Sequence, residues 1–503
     1  MNDSSFDRSR IALSHEEMRK FGYRVVDLLA EHFSNMERGP VGAKADPGRI
    51  VSLFDRDPSE TGRDPNELLA QLEHDVFPNN LHVDHPRFFA FVPGPNNFVS
   101  TMADALTAGF NVFNGTWLGG SAAAAVELGV VRWLCRICGL PAAAGGLFVS
   151  GGSMANLTAL VAARHALLQG RVAGATVYFS DQTHSSVERA LRVIGFAPGH
   201  MRKLQSDENF RLSIQDLRAA IAADRAKDLR PFCIIANAGT TNTGAIDPMI
   251  DLADLAAAEK LWLHVDGAFG AAAILSPRGQ ILLRGLERAD SISLDPHKWL
   301  FQSFECGCVL VRDAELLKSA FQIKPDYLRD VHRSVEEFNP CDYGVQLTRS
   351  FRALKVWMSL ETFGLAAFRR AITRGFELAE IAERELRARK GWKILSPAQM
   401  ATVCFRFGKR DELPTQLVDA MMRDGYALLT STTLRGVPSL RLCTINPRTT
   451  EAHIIETVNR LDRFARGKFI AESTSQIRSH DRTACSPSNC YRGSSRLARE
   501  FAR

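Results

Sequence analysis

Residues 232–266, FCIIANAGTTNTGAIDPMIDLADLAAAEKLWLHVD, read as one strand–helix–strand unit. FCIIAN (232–237) and LWLHVD (261–266) are short apolar runs, suited to strands covered on both faces. DLADLAAAEK between them has helical spacing. The pattern continues outward. TVYFS (176–180) and SISLD (291–295) are further short strands, and SVERALRVIG and SIQDLRAAIAA are further helical stretches. Strands separated by helices of 10–15 residues argue βαβ units and a mainly parallel sheet. GCVLVR (307–312) follows SISLD too closely for a full crossover, so an antiparallel partner is expected there.

Around this centre the chain divides. His15–Leu29 has helical spacing (Met18, Phe21, Val25, Leu28, Leu29), and a Pro/Gly/Asp-rich stretch covers roughly 38–65. A short helix then runs from about Asn66 to before Pro78. Residues 1–95 are too interrupted to build their own core, so they must pack on the main domain or on a second subunit. HPRFFAFVPGP (85–95) is a rigid, ring-lined loop. Helices are expected over 100–108 and 122–138, the latter closed by Gly139 and Pro141. A large domain over 96–350 is followed by a small α/β domain over 351–470, with helices at 352–360, 365–389 and 451–466 and strands at 403–408 and 439–446.

The 503 residues are 45% apolar and 23% charged, ordinary globular values that exclude full disorder, and ten cysteines are too sparse for a disulfide scaffold. Residues 1–10 lack the apolar stretch of a secretory signal, and no uninterrupted 18-residue apolar run exists. A cytoplasmic protein with no membrane partner is therefore expected. The net charge is +6, but residues 471–503 alone carry six arginines against three acids. The body keeps about half the excess, too little for a nucleic-acid footprint. The serine-rich tail is expected to be disordered.

The chemistry-bearing residues cluster after the strands, where open α/β sheets bind ligands. Asp266 ends LWLHVD, His184 follows YFS in DQTHSS, Thr241 follows CIIAN, and His297 and Lys298 follow SLD in DPHKW. In SGGSMANLTAL (150–160), Gly151 and Gly152 allow close backbone approach and Ser153 opens a helix. Two readings stand: plain capping by Ser153, or an anion cradle of free N–H groups. No Walker A, GxGxxG, HExxH or GxSxG motif occurs. A lysine for a carbonyl, a carboxylate for a ring nitrogen, an imidazole for a flat ring and an anion cradle together suit a phosphorylated pyridine aldehyde.

At these residues the chain resembles the pyridoxal-phosphate-dependent group II decarboxylases, of the aromatic-L-amino-acid decarboxylase kind. The stretches that carry the likeness are HPRFFAFVPGP, SGGSMANLTAL, SDQTHSSVERA, GTTNTGAID, LWLHVDGAF and DPHKWL, within roughly residues 15–465. The resemblance implies the fold type I architecture, a mainly parallel seven-stranded sheet with helices on both faces plus a small C-terminal α/β domain. It implies pyridoxal 5'-phosphate as cofactor, no metal, and a homodimer whose active site lies at the interface. Residue by residue, Lys298 would hold the cofactor as a Schiff base and His297 would contact the phosphate. Asp266 would bond the pyridine nitrogen, Ala268 would lie under the ring, and His184 would stack on its other face. Thr241 would sit near the 3-oxygen, and Gly152 and Ser153 would bind phosphate. Tyr327, on a polar segment over 324–346, would return a proton to the substrate α-carbon. Two positions depart from the family pattern: Met154 stands where an acid is common, and Asp295 where Asn is common.

The implied reaction is decarboxylation of an L-amino acid to its amine and CO2. Phe91, Val92, Pro93 and Phe113 would wall the substrate pocket, and apolar walls suit an aromatic side chain. Alternatives are a decarboxylase of a non-aromatic amino acid (histidine, diaminobutyrate or glutamate-like), a decarboxylation-dependent aldehyde synthase, which Tyr327 argues against, and a non-catalytic binding protein on the same fold. Arg349 reads as structural rather than as a substrate clamp.

Overall fold

The computed structural model describes residues 11–58, 60–331, 334 and 337–467. Its centre is a seven-stranded sheet of β1 (Gly145–Val149), β2 (Ala175–Ser180), β3 (Met201–Leu204), β4 (Arg230–Asn237), β5 (Trp262–Asp266), β6 (Ser291–Leu294) and β7 (Gly307–Val311). The order is β1-β7-β6-β5-β4-β2-β3. β3, β2, β4, β5 and β6 run parallel, and β7 is antiparallel to both its neighbours. The short link before GCVLVR therefore does reverse the chain. Every residue of β1, β5, β6 and β7 is buried, as continuous apolar strands between two helical layers must be.

Four strands and four helices escape the sequence reading, among them the short helices Pro277–Leu282 and Ala314–Phe321. β1 is introduced by two glycines, and β3 is a four-residue charged edge strand. The helix Pro47–Phe54 lies inside the Pro/Gly/Asp-rich stretch, capped by Asp46 with Pro47 in its first turn. Beyond residue 390, β8 (Trp392–Gln399), β9 (Thr402–Phe407), β10 (Thr430–Leu434) and β11 (Val437–Cys443) form an antiparallel sheet of order β10-β11-β9-β8. β10 alternates half-buried and exposed residues, and the helix Leu413–Asp424 packs nearby. The expected pair of helices near 352–389 is one element, Ala353–Arg387, kinked at Gly364, whose φ of 71° only glycine adopts freely.

Among the described residues one helix, Trp117–Ile137, is long and apolar enough to cross a bilayer by length and composition. Its apolar face packs in the main core, and a buried ion pair ties it to the chain beyond residue 340. Glu127 on this helix meets Arg349 at 2.7 Å with neither side chain exposed, and Arg349 also donates to the carbonyls of Asn114 and Phe148. Arg349 is thus structural, as expected. The first helix, His15–Asn35, starts with a capping box of Ser14 and Glu17 but buries none of its 21 residues.

Candidate active site

The helix Gly152–Leu168 follows β1 and opens the site. Its N-cap is Gly151 in extended conformation, with no side-chain cap, and Ser153 lies exposed inside the first turn. The capping reading of Ser153 is therefore wrong. What remains is a helix start with free N–H groups and a hydroxyl, the features that bind an anion. The glycines are steric requirements. A Cβ at Gly152 would come within 2.8 Å of both Ala268 Cβ and Asp295 Oδ2, and one at Gly151 within 3.2 Å of His297 Cε1.

Adjacent strands bring the remaining groups to the same end of the sheet. β5 and β6 pair Asp266 with Ser293, which sets Asp266 beside the turn that carries Lys298. Asp266 accepts hydrogen bonds from Ser293 Oγ (3.1 Å), the Ala268 amide (3.2 Å) and Asn156 Nδ2 (3.0 Å). Three donors define a carboxylate that presents its remaining acceptor capacity to a cation. His184 caps the helix Ser185–Val193, its Nδ1 accepting the Ser186 amide. Burial lowers its pKa, outweighing Asp266, so the ring is neutral at neutral pH.

Lys298 Nζ lies 2.8 Å from Oδ2 of Asp295, which is buried, and no aligned hydrogen bond reaches either Asp295 oxygen. His297 Nδ1 accepts the Cys306 amide at 3.0 Å, which leaves its proton on Nε2, 3.6 Å from the same Asp295 oxygen. Burial lowers the His297 pKa as well. Asp295, the departure from the family pattern, is thus the buried counter-ion of Lys298 beside the open helix start.

Gly152, Ser153, His184, Thr241, Asp266, Ala268, His297 and Lys298 all line one cavity of about 350 Å³, together with Asn156, Ser186 and Asp295. The four substrate-pocket candidates do not line it. The Phe91 ring is largely exposed, Phe113 is partly buried, and Pro93 is buried elsewhere. The loop lies one ring away: Gly94 packs on Phe304, whose edge meets His297 at 4.9 Å between ring centres. Tyr327 falls in the short turn Asp326–Val331, and its side chain, like residues 468–503, lies outside the described residues. Sequence reasoning missed Asn156 and Ser186, ordinary polar residues whose importance depends on what they touch. No group of three or more metal-ligating side chains occurs among the described residues.

These groups fit pyridoxal phosphate: an uncapped helix start and an Nε2–H for its phosphate, an amine for its aldehyde, and an acceptor for its ring nitrogen. Fold and site together place the protein in the class of pyridoxal-phosphate enzymes. Within that class, residues 47–408 match the family model described as the pyridoxal-dependent decarboxylase conserved domain, and the chain belongs to this family. It is a pyridoxal-phosphate-dependent carboxy-lyase. The chain is 46% identical over 464 residues to an aromatic-L-amino-acid decarboxylase of Bacillus atrophaeus, covering 90% of this chain and 97% of that one. It is 31% identical over 480 residues to a phenylacetaldehyde synthase of Petunia hybrida, covering 90% and 95%. Among solved structures, Oryza sativa TDC with PLP and tryptamine superposes with a TM-score of 0.86 at 29% identity, covering 92% of this chain and all of that chain.

Proposed function

We propose that this protein converts an aromatic L-amino acid to its amine and CO2. The observation that carries the substrate class is the near-full-length similarity to the Bacillus aromatic decarboxylase. Bound at this cavity, pyridoxal phosphate supplies the electron sink for the electrons released when the carboxylate leaves. The chain's own residues do the rest. The Gly152–Ser153 helix start and His297 Nε2–H would hold the cofactor's phosphate, Lys298 would present its amine to the aldehyde, and Asp266 would keep a proton on the ring nitrogen. His184, on the cavity wall, would cover one face of the ring. The bond from α-carbon to carboxylate breaks, CO2 departs without its bonding pair, and a proton from Tyr327 replaces it, so no oxidant is consumed.

The unit of activity in this reading is a homodimer. The first helix exposes Met18, Tyr23 and Val26, and Phe91 and Phe110 are also exposed. A second copy covering these rings would complete the substrate wall that one chain leaves open. A cytoplasmic location accords with eight free cysteines among the described residues. Two of them, Cys135 and Cys138, form a CxxC whose thiols burial pushes up to about 12, which suits a packing role rather than redox or metal chemistry.

The test is a panel of free L-amino acids scored for CO2, amine and hydrogen peroxide. Aromatic substrates should give amine and CO2 in equal amounts without peroxide. Peroxide equal to CO2 would instead assign the aldehyde-synthase chemistry of the Petunia relative's kind. Tyr327→Phe should move product from amine toward aldehyde, and an unchanged amine yield would remove Tyr327 from the proton step.

A further inference from the structure

A continuous chain of buried hydrogen bonds runs beneath the cavity floor. Trp262 Nε1 donates to Ser291 Oγ at 2.8 Å, Ser291 Oγ meets His264 Nδ1 at 2.8 Å, and His264 Nε2 meets Asn156 Oδ1 at 3.0 Å. There the chain forks. Asn156 Nδ2 lies 3.0 Å from Asp266 Oδ2 and 3.0 Å from Ser186 Oγ, and Ser186 Oγ lies 2.8 Å from His184 Nδ1. Ser291, His264, Asn156 and Ser186 are all buried.

The direction of every bond follows from donor counting. A carboxylate can only accept, so the Asn156 amide nitrogen faces Asp266. Its oxygen must then accept, which requires the proton of His264 on Nε2. Burial lowers the pKa of His264 to about 4, so it carries one proton only, and its Nδ1 accepts the Ser291 hydroxyl. That leaves the Ser291 oxygen free for the Trp262 indole. On the other branch, Ser186 Oγ accepts from Asn156 and passes its own proton to His184 Nδ1, which also receives the Ser186 amide at 3.2 Å. A nitrogen receiving two donors is bare, so the His184 proton is on Nε2.

We propose that Asn156 is a positioning residue that fixes Asp266 as an acceptor for the ring-nitrogen proton. The proposal rests on the reading above that Asp266 faces the ring nitrogen. A buried carboxylate–pyridinium pair can collapse to neutral acid and neutral pyridine. Each hydrogen bond donated to the carboxylate opposes that transfer. Removing the Asn156 donor, or the His264 donor that orients it, moves the proton toward Asp266 and weakens the electron sink.

The experiment is 15N NMR of holoenzyme loaded with ring-15N pyridoxal phosphate, between pH 6 and 9, alongside steady-state kinetics. The wild type should hold the protonated-ring resonance throughout. Asn156→Leu should shift it toward unprotonated pyridine and lower kcat by about 10–100-fold with KM little changed. His264→Leu should do the same, while His264→Gln, which keeps a side-chain donor, should remain close to wild type. This pair carries the test should Asn156→Leu fail to fold. If Asp266→Asn moves the resonance but Asn156→Leu and His264→Leu do not, the relay is refuted and the Asp266 reading stands. If His264→Leu and His264→Gln behave alike, the relay is also refuted. A resonance unmoved by Asp266→Asn itself refutes the underlying assignment and the relay with it.

Discussion

At the scale of single residues, Asp295 shows what sequence shows and hides. Its presence before PHK was legible as an extra acid near an anion site, but its partner was not. The structure gives it one: Lys298 Nζ at 2.8 Å, with Oδ2 beside Gly152 at the helix start. A carboxylate there repels an incoming dianion while it pairs with the lysine. Asp295→Asn in the unloaded enzyme should therefore bind sulfate, a dianion that does not titrate near neutrality, about tenfold more tightly or better. Isothermal calorimetry decides it; equal or weaker binding removes the repulsion. Lys298, His297, Asp266 and His184 were legible because each follows a strand of clear pattern. Asn156 and Ser186 were not, because a buried amide or hydroxyl acquires a role only from its partners.

Among the elements, the helix Gly152–Leu168 and the helix Trp117–Ile137 teach opposite lessons. The first looked capped by Ser153, yet the chain stays extended through Gly151 and leaves the serine free for a ligand. Local chemistry allowed both readings, and the turn geometry after β1 chose between them. The second passes for a membrane span by composition, yet its apolar face packs into the main core and its buried Glu127 is paired with a residue 222 positions away. Arg349→Ala should strand Glu127 in the core and cost about 3–5 kcal/mol of stability, read by denaturant unfolding. A loss below about 1 kcal/mol would mean that Glu127 finds water or another donor. The missed strands share a cause: β1, β3 and β10 are short and glycine-led, charged or half-exposed, β8 carries Pro397 and breaks its register, and all four are held by neighbours rather than by their own pattern.

For the molecule as a whole, buried titratable groups set the acid stability of the unloaded enzyme. Burial lowers the pKa of His82, His85, His184, His264 and His297. Below about 6.5 the unfolded chain takes up protons that these folded rings refuse, so stability falls as the pH falls. Asp247 works in the opposite sense. Burial pushes it up to about 6, so between about 3.8 and 6 the folded state keeps a proton that the unfolded chain has released. Asp247→Asn should therefore steepen the loss of stability between pH 6 and 4 by about one proton, seen in unfolding midpoints across that range. An unchanged slope would show that Asp247 is ionised in the fold. The architecture was legible at this scale because parallel strands alternating with helices admit few arrangements. The substrate wall was not, since Phe91 and Phe113 stand away from the cavity of a single chain.

One cavity holds Lys298 and Asp266, so the amine would meet the aldehyde of the same cofactor whose ring nitrogen would meet the carboxylate. Borohydride reduction of the yellow holoenzyme, followed by peptide mapping, tests it most directly. One phosphopyridoxyl group per chain is expected on Lys298, with Asp266→Asn still labelled there but shifted in its absorption beforehand. Labelling of a different lysine, or of none in a folded and cofactor-saturated protein, would contradict it.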